Sequence, residues 1–231
     1  MEGRSFPGNL PRPDGAVDSL EIDSIVEHLL LLAGIKEPPV DPCAVIKALK
    51  LEATEVSLPE SLQSMSVELD DFYLLYINVD TRAERLNFRI AHEIFEVLLG
   101  DVPHKERTCN LAASALLMPT AWFAEARKRA GLDLFELKAV FRTASHEAIA
   151  YRMLSFREAV VTVLDHGKVT SRVGNPGLSY PRALQPTEKR ALERATELGA
   201  AVREFAEGIM VEGWPVFEEG WERVILITST D

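Results

Sequence analysis

One helical stretch in the middle of the chain restricts the fold more than any other feature. Residues 86–100 carry apolar side chains at helical spacing, contain no proline and end at Gly100, a residue that commonly stops a helix. His92, Glu93 and Glu96 lie within this apolar stretch. Residues four apart share one face of a helix, so His92 and Glu96 can point at one metal ion with Glu93 beside them. The sequence therefore predicts a buried helix that carries polar groups.

The spacing is that of a zinc-peptidase motif with one change. In His-Glu-x-x-His helices the two histidines hold zinc, and the glutamate takes a proton from a zinc-bound water that the metal has made acidic. Here Glu96 takes the place of the second histidine. A carboxylate is a zinc ligand, but its negative charge weakens the pull of the metal on its water. Two interpretations stay open: a metal site with Glu93 as the base, and a buried His-Glu pair that serves packing.

Several landmarks around the motif resemble the ImmA/IrrE family of metallopeptidase-like proteins, the DUF955 domain. They are the opening segment 38–49, the strand 75–78, the start of the motif at 89–93 and the Leu-Leu-Met-Pro sequence at 116–119. Their order is that of the family, and the resemblance covers most of residues 38–156. It implies an α+β fold with a zincin-like helical domain and a small antiparallel sheet, a zinc cofactor, and the cleavage of DNA-binding repressors.

The resemblance also implies a third metal ligand, and the sequence departs from the family there. The family has a Glu on the helix that leads into Leu-Leu-Met-Pro, and the matching position is Thr108. A hydroxyl is a poor zinc ligand compared with carboxylate, imidazole or thiolate. His104 lies one turn earlier and is the substitute ligand if the helix begins that early; the alternative is an exposed loop histidine. Glu106 is offset by two positions from Thr108, which predicts that it turns away from that face.

Composition restricts the partners and the compartment. The chain of 231 residues has a formal net charge of −11 and 47% hydrophobic residues, which suits a globular protein and opposes non-specific binding to nucleic acid or anionic membrane. Its two cysteines form no Cys-x-x-Cys motif, so neither a disulfide framework nor a thiolate cluster is indicated. The longest apolar run, 29–33, is too short to span a bilayer, and no secretion signal precedes it. The sequence predicts a soluble, cytoplasmic protein.

The pattern of apolar residues divides the chain into four predicted parts. Residues 1–16, rich in Gly and Pro, form a flexible tail, and 17–133 form the metallopeptidase-like domain. Residues 134–156 form a helix-turn-helix-like segment in which Lys and Arg outnumber Asp and Glu, and 157–231 form a small α+β C-terminal domain. The elements expected in the domain 17–133, outside the central helix, are helices at 17–33 and 43–49 and strands at 51–56, 65–69 and 72–78.

In the C-terminal part the apolar period changes to two, which is typical of strands. This pattern predicts a hairpin over 160–173 and strands over 209–217 and 222–229. Between them a long helix is expected over 186–207, capped by Thr187, with apolar residues from Leu192 to Phe205 on its core face.

Three classes of function remain open. The leading prediction is a regulator that engages a protein partner, such as a transcriptional repressor or its exposed peptide, through a zincin-like groove. In it zinc is absent or weakly bound, and peptidase activity is lost or altered. In the second class His92, Glu96 and His104 hold zinc and Glu93 activates the water, so that the protein is an active endopeptidase that cleaves a repressor. A DNA-binding regulator acting through 134–156 ranks last, because that segment offers few base-reading groups.

Overall fold

A computed structural model describes residues 17–56, 64–68, 73–78, 82–100, 102–218 and 220–230. The chain divides into two compact units, Met1–Ser145 and His146–Asp231. Helices and two sheets make up the described residues, which confirms the predicted α+β class. The predicted tail, residues 1–16, lies outside the described residues. Among the helices of the described chain, none is long and apolar enough to cross a membrane.

The described part of the first unit begins with two helices whose N-terminal capping residues can be recognised in the sequence. Helix α1 (Ser19–Leu32) begins at Asp18, whose carboxylate accepts hydrogen bonds from backbone N–H groups of the first turn, while the Glu21 side chain returns to the Asp18 N–H. This reciprocal capping box satisfies donors that the helix itself leaves unpaired. Helix α2 (Pro42–Leu49) begins at the Asp41 cap with proline in its first position, where a missing N–H costs nothing.

A three-stranded sheet follows: β1 (Glu52–Val56), β2 (Ser64–Glu68) and β3 (Tyr73–Asn78), in the order β1-β3-β2. The predicted antiparallel pairing of β2 with β3 is confirmed, but β1 runs parallel to β3. The small sheet is therefore mixed, and the prediction of an antiparallel sheet is wrong for this pair. The chain reverses its direction twice between β1 and β3, which leaves these two strands running the same way.

Two packed helices carry the residues of the predicted site. Helix α3 (Ala83–Leu99) buries Ile90, Ile94 and Leu98 on one side and contacts β2 and β3. It ends at Gly100, whose φ of 63° is a conformation that glycine adopts without strain. Helix α4 (Lys105–Leu117) packs along α3. The packing of α4 on α3 brings two sets of polar side chains together.

The first unit is completed by α5 (Thr120–Ala130) and α6 (Leu134–Val140). The rings of Phe123 and Phe141 stack in its core with centroids 5.3 Å apart. The Lys138 ammonium donates to the carbonyls of Arg142 and Ala144 and pairs with Glu84 of α3 at 3.1 Å. These bonds tie the end of this unit to the helix that carries His92.

The second unit is a five-stranded antiparallel sheet with helices. Its strands lie in the order β5-β4-β8-β7-β6. The hairpin over 160–173 and the last two strands are confirmed, and all elements of the unit are α7 (His146–Met153), β4 (Val160–Asp165), β5 (Lys168–Gly174), α8 (Pro186–Leu198), β6 (Val202–Ala206), β7 (Ile209–Glu218) and β8 (Trp221–Thr230). Helix α8 packs on this sheet at Gly213, where an added side chain would meet the Ala191 carbonyl oxygen of α8 at 3.5 Å and Leu226 and Val202 of the neighbouring strands at 3.1 Å.

The predicted helix over 186–207 is wrong beyond Leu198. Gly199 adopts a left-handed conformation (φ 59°) that ends α8, and the chain then returns as β6 beside β7. Burial alternates along β6, and Phe205 is 61% exposed, so a period of two replaces the predicted helical face. The cap also lies two residues before the predicted one: Gln185 caps α8, whereas Thr187 is buried within it.

A buried ion pair fixes the start of α8 to the sheet. The Glu188 side chain is fully buried and accepts hydrogen bonds from Arg172 at 2.9 Å, from the Thr228 hydroxyl at 2.6 Å and from the backbone N–H of Gln185 at 2.8 Å. A buried charge is stable only when it is paired and hydrogen-bonded in this way.

The boundary between the units divides the predicted helix-turn-helix-like segment 134–156. Helix α6 belongs to the first unit and α7 to the second. Within the second unit, Glu147 of α7 pairs with Arg223 at 2.7 Å, and the Tyr151 hydroxyl donates to Ser171 at 2.6 Å. These bonds attach α7 to the sheet; the limits of independently folding domains remain a prediction.

Candidate functional site

Three side chains from α3 and α4 converge on one point. His92 Nε2 lies 3.6 Å from Glu96 Oε1 on its own helix and 3.6 Å from Glu106 Oε2 on α4. One ligand atom from each of the three lies within 4.8 Å of the other two. The structure thus brings His92 and Glu96 together, as their spacing predicts, and adds Glu106.

A chain of hydrogen bonds orients the imidazole. Asn110 Nδ2 donates to Glu106 Oε1 at 3.2 Å. Because a carboxylate only accepts hydrogen bonds, the amide nitrogen of Asn110 points to Glu106 and the amide oxygen points the other way. Asn110 Oδ1 then faces His92 Nδ1 at 3.1 Å, so Nδ1 carries the proton. The other ring nitrogen, Nε2, is directed at the two carboxylates. A partner on Nδ1 that fixes the tautomer is the arrangement found in metal-binding histidines.

Glu96 is already paired with a cation. Lys105 Nζ lies 2.5 Å from Glu96 Oε2, while Glu96 Oε1 faces His92. Lys105 is the first residue of α4, and its side chain is one third exposed. The carboxylate is therefore shared between an imidazole and an ammonium group.

The buried Cys109 thiol touches the same carboxylate. Burial is the main cause that raises the pKa of Cys109 to about 12, and the charge of Glu96 together with a hydrogen bond between them adds to it. A thiol with so high a pKa stays protonated at neutral pH. Cys109 therefore acts as a hydrogen-bond donor to Glu96 and not as a thiolate ligand.

The two residues expected at the third ligand position lie elsewhere. The Thr108 side chain is buried, and its hydroxyl donates to the His104 carbonyl at 3.3 Å. His104 is an exposed residue in front of α4 with φ 55°. Among the described residues, the group of close ligand atoms contains His92, Glu96 and Glu106 and does not include His104.

Glu106 and Thr108 lie on different faces of α4, as their offset of two predicted, but the residue that faces His92 is Glu106 and not Thr108. Thr108 faces the core instead, and the face toward His92 is formed by Glu106 and Asn110. Their spacing of four residues is the signal in the sequence for this face. Glu93, the predicted base, lies next to His92 in the buried part of α3.

The donors suit a divalent metal ion such as zinc. An imidazole nitrogen and two carboxylates are common zinc ligands, and two ligands bound tetrahedrally to one zinc lie about 3.3 Å apart, close to the observed 3.6 Å. Zinc held there would make a bound water acidic, with Glu93 adjacent in sequence. The Lys105 ammonium competes for the Glu96 ligand, and Glu106 is 78% exposed.

The mixed small sheet on a helix that carries a His-Glu motif defines a zincin-like domain. Residues 53–154 match the family model described as Peptidase_M78, IrrE N-terminal-like domain, and over this segment the resemblance to the ImmA/IrrE family is confirmed. A solved Mycobacterium tuberculosis transcriptional regulator is similar in fold, with a TM-score of 0.66 and 14% identity over 91% of this chain and 76% of that chain. Comparison with the curated proteins gives no match.

Proposed function

We propose that this protein is an ImmA/IrrE-like regulator that binds a protein partner through its zincin-like groove without hydrolysing it. The partner class is a transcriptional repressor or its exposed peptide. The family match over residues 53–154 supports the regulatory assignment. So does the similar fold of a protein described as a transcriptional regulator, which covers most of this chain.

The observation that carries the loss of hydrolysis is the state of Glu96, which stands where the zinc-peptidase motif has its second histidine and is paired with the Lys105 ammonium at 2.5 Å. The resemblance assigns the third ligand to Thr108, and that hydroxyl is buried and donates to the carbonyl of His104. The carboxylate that stands in, Glu106, is largely exposed. Fixing an exposed Glu side chain costs rotamer entropy, and changes to the residues that orient metal ligands commonly lower metal affinity or activity by about 10–100-fold.

The small sheet provides a surface for a peptide. Strand β2 lies at one edge of the order β1-β3-β2 and contacts α3, the helix that carries His92. An extended peptide can add to such an edge through main-chain hydrogen bonds, which do not depend on a metal ion. This surface therefore supports partner binding in a protein that does not cleave.

The test separates binding from catalysis in the cell. We expect deletion of the gene to change a set of transcripts, and both the parent protein and Glu93→Gln to restore them, because the carboxamide keeps the shape and removes only the base. His92→Gln serves as a second variant, and thermal unfolding checks that each variant folds. Folded variants that behave like the deletion would show that the chemistry is needed. A deletion that changes no transcripts would refute the regulatory role.

An active zinc endopeptidase is the second candidate, and the convergence of His92, Glu96 and Glu106 favours it. In this version these three hold zinc and Glu93 takes the proton from the water. Its signature is cleavage of the partner that requires zinc and stops in Glu93→Gln.

Direct DNA binding has less support. Two polar residues of α7, Glu147 and Tyr151, are engaged with Arg223 and Ser171 of the sheet, and reading bases requires polar groups that reach the grooves.

A further inference from the structure

Lys105 pairs through Glu96 Oε2 with one of the three potential metal ligands on α3 and α4. We propose that Lys105 is a built-in counter-ion that keeps divalent cations out of the group formed by His92, Glu96 and Glu106. The proposal deepens the proposed function and rests on it, because it gives the reason why a domain of this family works without zinc. It assigns to Lys105 a role that the zinc motif itself does not contain.

The ammonium and the carboxylate are in direct contact. Lys105 Nζ lies 2.5 Å from Glu96 Oε2, which makes this a charge-assisted hydrogen bond between two charged groups. The ammonium is attached to the chain at the first residue of α4, and α4 packs on α3. A tethered cation has a high effective concentration at its partner. A metal ion from solution must therefore compete with the Lys105 ammonium for the Glu96 carboxylate.

The position of Lys105 at the start of α4 is unfavourable for a lysine. The amino end of a helix carries partial positive charge, so a lysine there is disfavoured. Glu106, the next residue, suits that end. The position of Lys105 therefore gains nothing from its own helix, and the contact that stabilises it is the one with Glu96 across the helix pair.

Apart from Lys105, the side chains of His92, Glu96 and Glu106 are arranged to bind a cation. Asn110 holds the His92 ring with Nε2 toward both carboxylates, and Asn110 is in turn fixed by Glu106. The carboxylates of Glu96 and Glu106 carry two negative charges, of which Lys105 balances one. Removal of the ammonium leaves two negative charges beside an oriented imidazole, and such a group attracts a divalent ion more strongly.

The experiment measures zinc alone, added to the full chain against a chromophoric chelator. Lys105→Met keeps the length of the side chain and removes its charge, and we expect it to bind zinc at least about tenfold more tightly than the parent. Lys105→Arg keeps the charge and should bind as weakly as the parent. The added mutation His92→Ala should abolish the gain of Lys105→Met.

Lys128→Met is the matched control, because Lys128 pairs with Glu125 at 3.3 Å on the surface of α5. It removes an equal charge away from the site and should leave zinc affinity unchanged. The proposal is overturned if Lys105→Met binds no more tightly than the parent, or if Lys128→Met gains as much. Lys105→Gln is measured in parallel in case the Met variant does not fold.

This experiment fails or succeeds separately from the test of regulation. Zinc affinity is measured on purified protein and does not depend on a partner, whereas restoration of transcripts by Glu93→Gln does not depend on zinc. An unchanged affinity in Lys105→Met together with full restoration would refute the role of Lys105 and leave the regulator intact. Tighter zinc binding by Lys105→Met without restoration of transcripts by Glu93→Gln would support the role of Lys105 and refute the proposed regulation.

Discussion

The Cys109 thiol reports directly on the charge state of the candidate site. Its pKa of about 12 means that about one molecule in ten thousand carries a thiolate at pH 8. An ordinary thiol with a pKa of about 8.5 is about one quarter ionised at that pH. Alkylation requires the thiolate, so Cys109 should react with iodoacetamide at least about a thousandfold more slowly than an ordinary cysteine. The exposed Cys43 serves as the internal reference.

The variant Glu96→Gln separates the two causes of this protection. Burial, the larger cause, persists, while the charge of Glu96 and its bond to the thiol are removed, so the pKa of Cys109 should fall and its alkylation should become faster. Glu106→Gln is the control, because Glu106 contributes least to the raised pKa. Rates are read by mass spectrometry of the two cysteine peptides. Equal rates for Cys43 and Cys109 in the folded parent would refute the burial of this thiol, and an unchanged Cys109 rate in Glu96→Gln would refute its contact with Glu96.

The same pKa predicts how stability depends on pH. Above the ordinary thiol pKa of about 8.5 the unfolded chain loses the Cys109 proton, whereas the folded chain keeps it up to about pH 12. The unfolded state then binds fewer protons, so this residue contributes stability below about pH 8.5 that is lost progressively as the pH rises toward 12. Urea unfolding at pH 8 and pH 10 should show a smaller loss for Cys109→Ala than for the parent; an identical loss would contradict the assignment.

Further predictions concern stability, metal and DNA. Glu188→Ala leaves Arg172 buried without its carboxylate, so the free energy of unfolding should fall by about 3–5 kcal/mol, and a loss below 1 kcal/mol on urea titration would argue against the buried pair. Glu96→His restores the second histidine of the motif, removes the partner of Lys105 and leaves Glu106 beside His92; equilibrium dialysis should find one zinc per chain, and its absence would count against this group as a metal site. Duplex DNA should bind weakly at physiological salt, since the net charge is −11, and sequence-selective nanomolar binding in a filter assay would promote the DNA-binding alternative.

The sequence predicted the parts of the site that lie on one helix and missed the parts that depend on two. The spacing of His92 and Glu96 sets their common face whatever surrounds them, and the structure brings them together. Lys105 and Glu106 reach the site through the packing of α4 on α3, and the rotation of one helix against another is a tertiary property. The family resemblance placed Thr108 on the face of α4 that points toward His92, but Thr108 is buried in the core. The orientation of α4 about its axis therefore differs from the predicted one.

The same limit explains the elements of the fold. Caps such as Asp18 and runs of β-branched residues such as β4 are local patterns, and the structure contains them where the sequence indicates. In the segment after Leu198 the positions of the apolar residues are compatible both with one face of a helix and with a strand. Gly199 and the pairing of β6 with β7 decide for the strand, and that pairing involves residues beyond the local window.

The zinc content of the parent protein decides whether it works without a metal ion. The full chain is purified without chelator, incubated with equimolar zinc, desalted and analysed by mass spectrometry for metal. Because the Lys105 ammonium is paired with the potential ligand Glu96, we expect much less than one zinc per chain. One zinc per chain that is lost in His92→Ala would contradict it and identify a working metal centre.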